Sequence, residues 1–180
     1  MRLHNAASAG FRALLGVALL SLAAWTAPPV GAGPGPGKGP VTGMPLPRFE
    51  SFRSNMVNLR AGPGFQYPIT YVFHRDDLPV EVTAEFDVWR RVEAPDGTVG
   101  WIHEALLHGV RSFIVIGGQH VLRVAPRDDA APAAYLEQGV IGLIRRCDAD
   151  ASWCRVSAGH RTGWLKRADF WGSFEGEAIK

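Results

Sequence analysis

The chain has 180 residues, 47% hydrophobic and 20% charged, a balance that excludes full disorder. Its 21 glycines and 13 prolines are too many for a helical bundle and suit short strands joined by turns. The formal net charge is +2, but Arg2 and Arg12 lie in an N-terminal leader. Without them basic and acidic residues balance at 17 each, which argues against a nucleic-acid partner.

The leader holds no acidic residue, the first being Glu50, and contains an apolar run of 12 residues from Ala13 to Ala24. As a helix this run would span roughly 18 Å, short of the about 30 Å of a bilayer core. Residues 1–32 therefore read as a signal peptide. Both Val30-Gly31-Ala32 and Ser21-Leu22-Ala23 offer small residues for cleavage. No cysteine lies near the end of the run, so no lipid anchor is expected. The expected location is periplasmic or secreted, with membrane contact only through an uncleaved leader, if at all. Residues 33–47, GPGPGKGPVTGMPLP, read as a flexible Gly/Pro-rich linker.

The rest of the chain repeats itself. Asn58-Leu59-Arg60-Ala61-Gly62-Pro63 is echoed by Val121-Leu122-Arg123-Val124-Ala125-Pro126, and Trp89-Arg90-Arg91-Val92 by Trp153-Cys154-Arg155-Val156. Gly100-Trp101-Ile102-His103 is echoed by Gly163-Trp164-Leu165-Lys166. Matches in the same order point to a duplicated unit. Within the first unit Val80, Val82, Ala84 and Phe86 alternate with Glu81, Thr83, Glu85 and Asp87, a strand with one wet face. Pro95-Asp96-Gly97 and Ala158-Gly159-His160-Arg161 mark hairpin turns. The β-branched run Arg111–Ile116 reads as the closing strand of the first unit. Short strands at this density predict an all-β fold of two small, strongly bent barrels. The expected limits are 48–116 for the first, 117–174 for the second and 175–180 for a C-terminal tail.

The sequence LRAGPG, then WRRV, a turn, and GWIH resembles the bacterial SH3-like (SH3b) domain family. The resemblance spans roughly residues 49 to 174 and is stronger in the first copy, because Ala125 and Arg127 stand where that copy has Gly62 and Gly64. It implies two tandem SH3-like barrels and ligand or cell-wall binding outside the cytoplasm, and it implies no catalysis.

Strand parity selects candidate binding residues. If Val92 pairs with Gly100, then Arg91 faces Trp101 and Trp89 faces His103, all on the face opposite Val92. If Val156 pairs with Gly163, Arg155 faces Trp164 and Trp153 faces Lys166. Each unit then groups two Trp residues and one Arg, with Arg expected to stack on Trp. Such a face suits a peptide or sugar. It equally suits docking against the other barrel or a partner, since a domain this small is marginal alone. The same parity puts Ile141, Leu143, Arg145 and Cys147 on one face and Cys154 beside Val156. A Cys147–Cys154 disulfide is expected in an exported chain, whereas the first unit has Phe86 and Arg90 near the corresponding places.

No cofactor or metal is expected. Cys147, Cys154 and His160 would give three metal ligands at an unusual spacing, and Asp76-Asp77 and Asp128-Asp129 read as solvated turns. The histidines outside the leader, His74, His103, His108, His120 and His160, fall in no catalytic motif. A hydrolase would require His103 or His160 beside an unpaired cysteine. The expected function is a non-catalytic envelope protein that recognises peptidoglycan peptides or an envelope protein. The alternative is an assembly subunit whose Trp faces pack on each other or on a partner.

Overall fold

The computed structural model describes residues 37–149 and 151–180; the expected signal peptide and residues 33–36 lie outside them. The described chain opens with a small hairpin, β1 (Gly37–Lys38) paired with β2 (Pro45–Leu46). Two seven-stranded antiparallel sheets follow. The first comprises β3 (Arg48–Phe52), β4 (Val57–Arg60), β5 (Ile69–Phe73), β6 (Pro79–Phe86), β7 (Trp89–Glu93), β8 (Val99–His103) and β9 (Leu107–His108). The second comprises β10 (Ser112–Val115), β11 (His120–Arg123), β12 (Pro132–Leu136), β13 (Ile141–Cys147), β14 (Trp153–Ala158), β15 (Arg161–Lys166) and β16 (Phe170–Trp171). The spatial orders β5-β4-β8-β7-β6-β3-β9 and β12-β11-β15-β14-β13-β10-β16 are the same path traced twice. A single 3-10 turn precedes the last strand of each sheet, at Glu104–Leu106 and Arg167–Asp169. The fold is all-β, two tandem SH3-like barrels.

Each sheet curls around its own core. Phe52, Leu59, Val80, Val92 and Ile102 are sealed in the first, and Phe113, Leu122, Val156 and Leu165 in the second. Gly100 and Gly163 sit where two strands crowd together. A Cβ on Gly100 would lie 2.5 Å from Leu59 and 2.9 Å from the Arg60 carbonyl, and one on Gly163 would lie 2.6 Å from the Arg123 carbonyl. The glycine of each Gly-Trp pair is thus required by close backbone approach.

Three expected boundaries are corrected. Arg111–Ile116 does not close the first barrel: Leu107–His108 does, by pairing with Ser51 and Phe52. Ser112–Val115 instead opens the second barrel between β13 and β16, and its Phe113 and Val115 enter that sheet's core. Residues 37–47 are not a free tether, because the hairpin they form is bonded to the first barrel. The segment 175–180 is not a loose tail. Glu177 forms an ion pair with Arg111, and buried Ile179 exchanges both backbone hydrogen bonds with Cys147, at 2.9 and 2.8 Å.

The face expected along the longest strand is also corrected. A bulge at Thr83, between Val82 and Ala84, reverses the alternation of β6. Val80 and Val82 are buried as expected, but Phe86 is 58% exposed and Glu85 points inward. The second barrel repeats this with a bulge at Arg145, so Ile144 rather than Leu143 joins Cys147 in the core. Glu85 opposes Arg90, and Cys147 opposes Cys154, at the matching position of each barrel. The two cysteines are bonded, with Cα atoms 4.5 Å apart.

A strap from one chain end covers each of these pairs. The Glu85 carboxylate accepts hydrogen bonds from Val41 N (3.1 Å), Thr42 N (3.0 Å), Thr42 Oγ1 (2.6 Å) and Arg48 Nη1 (2.7 Å), with Arg90 Nε 3.8 Å away. Arg90 in turn pairs with Glu104. Gly39 leaves room for this carboxylate, which a Cβ there would strike. Burial alone would raise the Glu85 pKa, but the bonds from Thr42, Arg48 and Val41 outweigh it and hold it at about 2.

The barrels meet through aromatic and polar contacts. Phe49 packs edge-on against Trp171, with centroids 5.1 Å apart, and against Phe174 at 4.6 Å, while the Arg111 guanidinium lies over its ring. Ile114 and Ile141 of the second barrel pack on the first core. Ser51 and Ser112 share a buried hydroxyl hydrogen bond.

Two outcomes follow from the plugged ends. Closing the loop between the cysteines restricts the unfolded chain by about 2.5 kcal/mol. Reduction should therefore deprotect the β13 and β14 amides in hydrogen exchange while β6 and β7 keep their protection; equal loosening of both barrels would contradict this. Glu85 is held below the ordinary carboxyl value of 4.5, so its stabilisation is full above that pH and is lost as pH falls toward about 2. The stability gap between wild type and Glu85→Gln should be constant above about pH 5 and shrink below it, read by thermal unfolding across pH.

Candidate functional site

The two central hairpins pair as strand parity requires. Trp89 opposes His103, Arg91 opposes Trp101 and Val92 opposes Gly100; Trp153 opposes Lys166, Arg155 opposes Trp164 and Val156 opposes Gly163. The expected residues are thus neighbours, but they do not form two equal faces.

In the first barrel Trp89 is only 5% exposed. It is covered by Phe65, whose ring meets it edge-on at 5.0 Å, and by His103 at 5.4 Å. Phe65 also stacks on His103 at 5.7 Å and is itself 70% exposed. Arg60 lies over the outer side of Phe65 and donates to the carbonyls of Phe65 and Tyr67, pinning the loop back on the barrel. The expected stack of Arg91 on Trp is absent: Arg91 donates to Thr83 Oγ1 instead. His103 accepts a hydrogen bond from Ala105 N and caps the 3-10 turn.

Across the strands, Ile69 pairs with Arg60, Arg60 with Trp101, and Trp101 with Arg91, so these four share the outer surface. Tyr67 and Ile69 are each at least 40% exposed and extend the apolar surface from Phe65, whereas exposed Tyr71, beyond a bulge at Thr70, pairs with buried Leu59 and lies on the other side of the strand against Phe73. A cleft of about 360 Å³ opens beside Tyr71, lined also by Phe73, Leu78, Pro95 and Ile114. Phe65, Tyr67, Ile69 and Tyr71 were not among the expected binding residues. The first three occupy every second position after the Gly-Pro-Gly turn, an alternation that would have identified them, and the bulge at Thr70 turns Tyr71 to the other side. The turn serves the same surface: a Cβ on Gly62 would lie 2.5 Å from the Tyr67 ring.

The second barrel keeps the framework and loses the aromatic surface. Arg123, the counterpart of Arg60, likewise pairs with its Trp and donates to the Ala130 carbonyl across the same loop. But Asp128, Ala130, Pro132 and Ala134 replace Phe65, Tyr67, Ile69 and Tyr71. Lys166 replaces His103, lies over the Trp153 ring at 5.3 Å, and pairs with Asp128 at 2.6 Å. Arg155 is exposed beside half-buried Trp164.

A larger groove of about 820 Å³ lies between the N-terminal hairpin and the barrel junction. Its charges are matched in pairs, Arg48 with Glu50, Arg90 with Glu104 and Arg111 with Glu177. Burial raises the Glu177 pKa, but bonds from Arg111 and Phe174 N outweigh it and lower it. Among the described residues no three His, Cys, Asp or Glu side chains gather to hold a metal ion, and no helix is long and apolar enough to cross a membrane.

A comparison with curated proteins gives no match. The solved structures of NlpC2 and NlpC1 from Trichomonas vaginalis are similar to this chain at 12% identity and a TM-score of 0.32. The match covers 71% of this chain and 48% and 46% of theirs, so the chain spans about half their length. The bacterial SH3 domain model matches twice, over residues 53–109 and 117–172, one match for each barrel, and the chain belongs to that family.

Proposed function

We propose that the protein is a non-catalytic binding protein of the bacterial envelope, and that its first barrel recognises the peptides or glycan of the cell wall. The family includes many cell-wall-binding modules. The observation that carries the reading is the exposed surface formed by Phe65, Tyr67 and Ile69 with Trp101 and Arg60 beside it. Flat aromatic rings cover sugar or peptide faces at small entropic cost, and a flanking guanidinium supplies a hydrogen-bonding edge. The paired cysteines and the signal-like leader support an extracytoplasmic setting.

The roles already taken by polar side chains support a non-catalytic reading. Both cysteines are committed to a disulfide, so no thiol is available to His103 or His160. His103 caps a turn, while His108 and His120 bond the carbonyls of Phe52 and Ile116. The breadth of the exposed apolar surface also fits the alternative, an assembly subunit that docks this face on a partner protein and takes no small ligand.

Retention of the full-length chain on purified sacculi separates the two. Trp89 is too buried for a clean test, whereas Phe65 and Ile69 are exposed. The Phe65→Ala, Ile69→Ala variant should lose about tenfold or more in retention with its unfolding midpoint nearly unchanged. Retention equal to wild type would overturn the cell-wall reading. No wild-type retention, together with a specific crosslink from Tyr67 to an envelope protein, would favour the assembly subunit.

A further inference from the structure

The two barrels carry opposite charge on the outer face of their bulged hairpins. In the first barrel Glu81 and Glu93 oppose each other beside Thr83 and Arg91. Burial, and then the charge of Glu93, raises the Glu81 pKa. In the second barrel Leu143 and Ser157 take the places of the two acids. Arg145 occupies the bulge where the first barrel has Thr83, Arg146 stands where it has Ala84, and Arg155 keeps the place of Arg91.

Arg146 and Arg155 are direct cross-strand partners, a like-charge pairing that disfavours folding on its own. With Arg145 and Thr162 they line a surface depression of about 440 Å³. Arg145 is aimed along this face because its Nε donates to the Oγ of Ser157, a buried side chain, at 2.9 Å. Arg146 donates from Nε and Nη2 to exposed Asp148 Oδ1. Among the described residues no carboxylate stands within ion-pair distance of Arg145 or Arg155.

We propose that this face of the second barrel is a phosphate-binding site. Guanidinium forks bind oxygen pairs, and a carboxylate offers one such pair where a phosphate offers three or four oxygens. Three forks converging on one depression are therefore matched by phosphate. Arg145 and Arg155 hold the group, the Thr162 hydroxyl adds a donor, and Arg146 contributes from its place beside Asp148. The exposure of all three arginines makes each contact weak and sensitive to salt, so the fitting ligand repeats its phosphates, as a phosphodiester polymer or a layer of lipid headgroups does. The site is separate from the aromatic surface and does not depend on its role.

Calorimetric titration of the full-length chain with polyphosphate at several salt concentrations tests the proposal. Wild type should bind with an affinity that falls as salt rises. Arg145→Ala with Arg155→Ala should weaken binding tenfold or more and reduce the salt slope by about one for each arginine removed. The unfolding midpoint should hold or rise, because the repulsion on Arg146 is relieved. The Phe65→Ala, Ile69→Ala variant should bind polyphosphate like wild type. Binding to phosphatidylglycerol vesicles as well would identify a headgroup layer as a source, and binding to polyphosphate alone a polymer; both support the site. No binding to either probe, an unaffected arginine double variant, or equal binding to polyglutamate of matched charge would overturn it.

Discussion

The bulge in the long central strand of each barrel governs what the molecule places inside and outside. One extra residue, Thr83 in β6 and Arg145 in β13, reverses the alternation of side chains halfway along the strand. The inner end of the strand then delivers Glu85 or Cys147 to the mouth of the barrel, opposite Arg90 or Cys154. On the outside the bulge residue itself stands clear of the ladder, and in the second barrel that residue is an arginine. Barrel closure and the charge of the outer face thus depend on the same irregularity.

The two mouths show different chemistry at one geometric problem. A curled sheet of this size leaves its end open to water, and each barrel closes it with a cross-strand pair and a strap. In the first barrel the pair is ionic and the strap is the β1–β2 hairpin. A buried carboxylate is tolerated there because four donors, one of them the Arg48 guanidinium, and the nearby Arg90 guanidinium surround it. In the second barrel the pair is covalent and the strap is the segment ending at Ile179, which adds two backbone bonds to Cys147. The ionic plug responds to acid and the covalent plug to reductant.

The fold class and the hairpin registers were legible because they rest on local pattern. Valine opposite glycine in both repeats identifies the register, and the Gly-Trp pairs mark where strands crowd. The features that were not legible depend on distant partners. Alternation alone places Phe86 and Leu143 in the core, since nothing in the residues announces a bulge. Composition alone makes residues 37–47 a tether, since it is the distant Glu85 carboxylate, with the core under Leu46, that gives that hairpin something to hold. The run Ser112–Val115 is equally apolar whichever sheet takes it, and the pairing of Leu107 with Phe52 leaves it to the second. A balanced net charge likewise conceals two acids on one hairpin and three arginines on its counterpart.

Comparing the barrels position by position separates framework from surface. Residues that shape the sheet are retained in both: Gly100 and Gly163, Trp89 and Trp153, Arg60 and Arg123 with their loop carbonyl bonds. Phe65, Tyr67, Ile69 and Tyr71 correspond to Asp128, Ala130, Pro132 and Ala134. Ala125 stands at the place of Gly62 where Ala130 stands at the place of Tyr67, so the glycine and the ring it makes room for occur together. Phe65 covers Trp89 in the first barrel, and the Lys166 ammonium, held by Asp128, lies over Trp153 in the second. The cover over the tryptophan persists while its outward chemistry changes from aromatic to ionic. A duplicated barrel that keeps its core and exchanges its exposed side chains in this way has two surfaces suited to two different groups on a shared scaffold.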